Sequence, residues 1–357
     1  MNQESNSELT NVNSSVTVKR ITAIWALSET TLGGFLHALH IPLTGIIVGG
    51  AAVIFITLIA YFSEQKYSII KATIIVLILK GVVSPYTPLA AYFSVLIQGI
   101  LGQILFINKK HISLSAFTLS VSTLLLFGFQ KVIILTVVFG NTLWQSLDTF
   151  ANLIVDQFHL NGNNSQTIHF SFIIISGYVL LHLAAGIFIG ILAGRIPKWI
   201  TASVNRDHYY IEDIKPGNSS VSVFVTKKNN KRSGKKKRAV IYLVVAAAAM
   251  ILSYFVPGTG TSLFADIAIM TFRAILITLF WYFYLAPLLI RYSKRFLSKR
   301  QNYYADEIQE IMLLFPHLKN IILNCWNRSS GHKGFHKYRL FLSYSLITML
   351  FTNFNFE

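Results

Sequence analysis

The chain has 357 residues, of which 53% are hydrophobic and only 13% charged, and its mean hydropathy is +0.54. So much apolar surface cannot be hidden in one aqueous core, so the composition excludes an ordinary water-soluble globule and makes a bilayer the solvent. The net charge of +17 sits beside apolar runs, at Lys66, Lys71, Lys109, Lys110, Lys198, Lys227 to Arg238 and Lys294 to Arg300; topology and anionic headgroups account for it there, and no nucleic-acid partner is expected.

Orientation follows from Lys227 to Arg238 (KKNNKRSGKKKR), in which eight of twelve residues are basic. Lys- and Arg-rich loops stay in the cytoplasm during insertion, so every other segment is counted from this one. The same stretch is expected to attract anionic lipids. The single cysteine, Cys325, rules out an intrachain disulfide, and no Cys/His spacing typical of zinc occurs, so neither metal nor cofactor is expected. The polar N-terminus lacks the basic start of a cleavable signal peptide, which predicts that the first span is retained.

Residues 1 to 19 read as a disordered polar tail, rich in Ser and Asn. The first span runs from about Arg20 to Ala38, and the second, Leu43 to Phe62, carries Gly45 and Gly49 as a GxxxG helix-packing pair. A third begins near Lys71 and stops at Ser84-Pro85-Tyr86-Thr87-Pro88, because proline cannot continue a helix. A fourth, Leu89 to Ile107, ends at Asn108-Lys109-Lys110. Ile112 to Phe127 and Phe170 to Ala193 are the fifth and sixth. Between them, Leu143, Trp144, Leu147, Phe150, Leu153, Ile154 and Phe158 recur at helical steps, which predicts an amphipathic helix at the outer interface.

Residues 196 to 238 form a basic cytoplasmic loop. Ala239 to Val256 and Phe264 to Ile290 then make a transmembrane hairpin within 239 to 300, around Pro257-Gly258-Thr259-Gly260. From Ala305 to Asn327, Ile308, Ile311, Met312, Phe315, Leu318, Ile322 and Cys325 form an apolar stripe, predicting an amphipathic pair divided at Pro316 that lies on the membrane or on a partner. Leu340 to Phe351 is too short for an ordinary span and reads as interfacial or re-entrant. The expected fold class is therefore an all-α integral membrane protein with about eight transmembrane helices: six in an N-terminal bundle (20 to 195), a C-terminal hairpin, and cytoplasmic amphipathic helices over 301 to 357.

Ionisable groups inside a bilayer are costly and mark functional candidates. Glu29 lies nine residues beyond Arg20, and Lys80 nine beyond Lys71. At 1.5 Å per residue both sit roughly 13 Å in, so they are predicted to approach each other or face one polar cavity. Such a pair is either a substrate site or a buried structural ion pair. His37, His40, Tyr86, Gln98 and Asn141 add polar groups to the outer half and suggest a pocket open to the outside. His37 and His40 lack a third ligand for a metal. His182 and Arg273 read as groups satisfied by neighbouring helices. No HExxH, P-loop, GxSxG or paired-aspartate prenyltransferase motif occurs, so the chain is not expected to be an enzyme.

The layout of residues 20 to 195, with LHALHIPLTGIIVGG (Leu36 to Gly50) and KGVVSPYTPLAAYFSVLIQG (Lys80 to Gly99), resembles the substrate-binding S component of energy-coupling factor (ECF) vitamin transporters. The resemblance covers about half the chain. It implies a multi-pass protein of a bacterial plasma membrane, with its N-terminus in the cytoplasm, that binds a vitamin-like small-molecule solute from outside. It also implies ATPase or other cytoplasmic coupling subunits as partners. The C-terminal third is similar in style to the family's membrane coupling subunit, and Asn327-Arg328-Ser329 resembles its arginine-centred motif, which implies a partner-coupling role for Arg328. The family's metal-uptake members carry a histidine beside the N-terminal methionine; Asn2 stands there in this chain, which implies a substrate other than a metal. Two other classes stay open: an integral membrane enzyme or lipid-binding protein acting on anionic or lipid-linked substrates, and a membrane scaffold that recruits a cytoplasmic partner.

Overall fold

The structure, a computed structural model, describes residues 2–38, 43–84, 89–158, 169–206, 263–285, 287–289, 291–292, 295, 300 and 303–351. Among these residues all regular structure is helical. The basic segment Lys227 to Arg238, the seventh expected span and the turn at Pro257 lie outside the described residues.

Helix α1 covers Asn2–Leu27 and passes through a π-helical turn, Ser28–Leu32, into α2, Gly33–Ala38. The tail expected to be unstructured is therefore helical from Asn2. Ser and Asn are weak helix formers, but burial of Thr17, Arg20 and Ile21 anchors the helix into which the tail runs. Helices α3 (Thr44–Phe62), α4 (Ser68–Val83) and α5 (Leu89–Leu105) follow. Nearly every residue of α4 from Ala72 to Lys80 is buried, so this helix is central to its bundle.

Helix α6, Ile112–Phe139, outruns the expected Ile112 to Phe127 because Val132 to Phe139 resume the apolar run beyond Gln130 and Lys131 and no proline intervenes. It ends at Gly140, whose φ of 74° lies in the left-handed region that glycine tolerates best. The guanidinium of Arg273 occupies the space a side chain at that position would take. Helix α7, Asn141–Gln157, is the amphipathic helix that the apolar spacing predicts; its Phe150 and Leu153 are exposed, as is Phe158 just past its end.

Helix α8, Phe170–Arg206, extends past the expected end at Ala193 and contains Pro197. Proline removes one backbone bond, yet the helix continues beyond it, with Ile200 fully buried and Thr201 Oγ1 donating to the Pro197 carbonyl. Of the Gly45 and Gly49 pair, Gly45 packs against nothing: a side chain there would meet no atom within 4 Å. A close backbone-to-backbone crossing is made by Gly186, Gly190 and Gly194 of α8, where a Cβ would lie 3.1, 2.9 and 3.0 Å from the Cα atoms of Val121, Phe117 and Ser113 of α6. Small residues one turn apart let two backbones touch, which is how helices pack when lipid offers no hydrophobic drive between them.

Helix α9 covers Leu263–Phe280 and runs into a second π-helical turn, Trp281–Leu285. Helices α10 (Ala305–Ser329) and α11 (Gly334–Phe351) complete the described chain. Pro316 does not divide α10: buried Ile308, Ile311 and Leu314 precede it and buried Leu318, Ile321 and Cys325 follow, so packing holds one axis. The stripe expected to lie on membrane or partner is covered instead by α1 and α11 of the same chain. Leu340 to Phe351 is the second part of α11.

Among the described residues, four helices are long and apolar enough to cross a membrane: Thr44–Phe62, Lys109–Phe139, Phe170–Ser203 and Ala268–Leu289. The first is largely buried, whereas the other three bury little of their length and expose large apolar side chains, among them Leu114, Phe172, Leu180 and Phe188. A fifth apolar helix, Ala90–Leu105, is shorter.

The chain divides into two compact units, Met1–Leu124 with Ala184–Ser222 and Phe296–Glu357, and Leu125–Leu183 with Val223–Arg295, the boundaries falling within α6 and α8. The first unit has a core built on fully buried Trp25, Ile56, Leu79, Leu119, Ile200, Ile311 and Leu318. In the second, Asp148 of α7 accepts from the Ser171 backbone N–H at 2.6 Å and from its hydroxyl at 2.9 Å, capping the start of α8. Those bonds, the backbone one foremost, hold the Asp148 carboxyl below its ordinary range. His182 is buried with Nδ1 2.9 Å from the Tyr178 carbonyl of its own helix.

Candidate functional site

The site is built at the π-helical turn of the first unit. There Glu29 and Lys80 meet at 2.7 Å, each only 2% exposed. Counting residues along two helices predicts the encounter; the structure supplies its setting. A π turn widens the helix by one residue and leaves carbonyls without their usual partners, and such turns concentrate at functional positions. Here threonine hydroxyls take up the slack: Thr30 Oγ1 donates to Ala26 at 2.8 Å, and Thr31 Oγ1 donates to Leu27 at 2.6 Å.

Lys80 lies in the last turn of α4, where the negative end of the helix dipole favours a cation. Its ammonium is 5.9 Å from the centre of the Tyr92 ring of α5, and the Tyr92 hydroxyl donates to the Lys80 and Ser84 carbonyls at 3.3 and 3.4 Å. One turn before Glu29, the fully buried Trp25 indole N–H has no hydrogen-bond partner among the described residues. Buried donors are seldom left unpaired.

The other polar groups proposed from sequence are distributed differently. Gln98 is buried and donates through Nε2 to the Gly49 carbonyl at 3.0 Å, which ties α5 to α3. Asn141 is exposed at the start of α7 and belongs to the second unit. His37 falls on α2, and His40 and Tyr86 lie outside the described residues. Arg328 is exposed in the last turn of α10, with its guanidinium carbon 5.2 Å from the centre of the Tyr344 ring.

At the opposite end of the unit lies a layer of charge that residue counting does not reveal. Lys71 meets Glu307 at 2.6 Å, Lys19 meets Glu310 at 2.6 Å, and Arg20 Nη1 donates to the Leu350 carbonyl at 2.8 Å. A cavity of about 370 Å³ opens among α1, α4 and α10, lined by Lys19, Glu64, Lys71 and Glu307. A second, of about 380 Å³, opens where α6 begins and α8 passes Pro197. The glycine repeat of α8 was legible as small residues four apart; the ion pairs were not, since their partners stand 236 and 291 positions apart.

Fold and composition together define a class, a membrane protein whose described residues are helical and hold a buried charge pair in the first unit. No protein-family model, no curated protein and no solved structure matches this chain.

Proposed function

We propose that this chain is a transport protein of a bacterial plasma membrane that binds a small, vitamin-like solute at the Glu29–Lys80 pair. In this reading it makes about eight crossings with its N-terminus in the cytoplasm. It depends on ATPase or other cytoplasmic subunits for energy, with Arg328 on the face they approach. The observation that carries the proposal is the Glu29–Lys80 contact, 2% exposed on both sides and seated at a π turn.

A lone charge is expensive in a dry helical bundle, whereas the pair is jointly neutral. A solute bearing a carboxylate or an ammonium exchanges with one member and keeps that neutrality. The Trp25 N–H supplies a further donor for its neutral part. Binding alone moves nothing uphill, so the energy comes from a partner.

The test is solute binding and uptake with a vitamin panel, read by thermal shift in detergent and by accumulation in vesicles. Wild type is stabilised by one solute class, and Glu29→Gln/Lys80→Met, which removes both charges while keeping bulk in the core, folds but loses that response. If the double variant binds and transports as wild type does, the pair is structural and the proposal fails. If only lipid analogues stabilise the protein, a lipid-directed enzyme or lipid-binding protein replaces the transport reading.

A further inference from the structure

We infer that the cavity between the start of α6 and the end of α8 binds the phosphate-bearing headgroup of an anionic phospholipid. This site goes beyond the solute site and does not depend on it. It encloses about 380 Å³ and is lined by Lys109, Lys110 and His111, from the turn that leads into α6, and by Lys198 of α8. Tyr61 and Ser113 also line it, and no carboxylate does.

The cations are gathered by the backbone. Asn108 Oδ1 accepts the Lys110 N–H at 3.1 Å and shapes the turn that precedes α6. Ser113 Oγ donates to the Gly194 carbonyl at 3.2 Å, in the close α6–α8 crossing, and so fixes Lys198, one turn further along α8, beside the lysine pair. Lys109 is partly committed: its ammonium donates to the Ser63 carbonyl, and Glu64 is the carboxylate that acts on it. Lys110, His111 and Lys198 make no ion pair among the described residues. The positive end of the α6 dipole faces the same space.

Cations brought together in this way repel one another until an anion neutralises them. A phosphate, with oxygens pointing in several directions, suits ammonium groups arriving from the turn before α6 on one side and from α8 on the other. The surroundings select a lipid as its source. Leu114 lines the cavity and is 63% exposed, and Ile107 beside the lysine turn is 75% exposed. Both lead onto the outward apolar surface of helices long enough to cross a membrane. A free phosphate uses the cations and leaves this apolar rim idle; a phospholipid uses both.

The experiment follows retention of phosphatidylglycerol and phosphatidylcholine by the full chain in detergent, read by native mass spectrometry and thermal shift, with inorganic phosphate as a separate arm. Wild type is expected to hold phosphatidylglycerol roughly tenfold more tightly than phosphatidylcholine. Lys110→Gln/Lys198→Gln, both exposed positions, loses that preference, whereas Lys319→Gln/Lys333→Gln, an equal loss of charge elsewhere on the surface, keeps it. Absence of the preference in wild type, or its persistence in Lys110→Gln/Lys198→Gln, overturns the site. Equal stabilisation by millimolar inorganic phosphate overturns the lipid as its occupant.

Discussion

Lys71, near the start of α4, meets Glu307, in the first turn of α10, at 2.6 Å, so two segments 236 positions apart share one end of the first unit. Both side chains are partly exposed, which limits the pair to about 1 kcal/mol or less. Its significance lies in register. With Lys19–Glu310 and the Arg20 bond to Leu350, it sets how α10 and α11 lie against α1 and α4 once burial of the α10 stripe has drawn them together.

Cys325 reports on that packing. Burial pushes its thiol above the ordinary range, opposed by the nearby polar groups of Ser345 and Thr348 on α11 and by the charge of Arg328. Maleimide labelling at pH 8 is therefore expected to be slow in the folded protein and fast once unfolded, because the thiolate is the reacting form. Deleting 334–357, which removes α11, should accelerate labelling by at least about tenfold. Rapid labelling of the intact folded chain would contradict the α10–α11 contact.

Removing one member of the Glu29–Lys80 pair leaves the other as an uncompensated buried charge. Glu29→Gln alone is expected to cost about 3–5 kcal/mol, and Glu29→Gln/Lys80→Met much less than the two single changes added together. Detergent thermal unfolding of all four proteins measures the coupling. Additive losses would mean that the two charges do not face each other.

The α6–α8 crossing leaves no room for a side chain at Gly190, where a Cβ would stand 2.9 Å from the Phe117 Cα. Gly190→Val should destabilise by about 1–3 kcal/mol through forced backbone separation. Gly177→Ala on the same helix, where a Cβ meets nothing within 4 Å, should be neutral or slightly stabilising. Equal melting temperatures for the two variants would remove the tight crossing.

Asp148 predicts a pH dependence. Its folded pKa is depressed, chiefly by the Ser171 backbone N–H, so the unfolded chain binds the proton more readily. The stabilisation is thus complete above the ordinary carboxylate value of about 4 and is lost as pH falls through the lower folded value. Hydrogen exchange at the first turn of α8 should quicken over that interval in wild type. Asp148→Asn should show faster exchange already at neutral pH, with little further change on acidification.

Much of this was legible in the order of residues, because hydropathy and helical spacing are local quantities. The composition demands a bilayer, the spacing from Leu143 to Phe158 specifies α7, and equal residue counts from Arg20 and Lys71 bring Glu29 to Lys80. Helix ends were less legible: α6 outruns Phe127, α8 continues through Pro197, and Pro316 leaves α10 whole, since packing on both sides of a weak point outweighs its local penalty. Only the tertiary structure decided that the α10 stripe is covered by its own chain, that Gln98 serves the Gly49 backbone, and that Lys198 stands beside Lys109 and Lys110. Those contacts join residues tens to hundreds of positions apart, and no periodicity within one helix encodes which face of another it will meet.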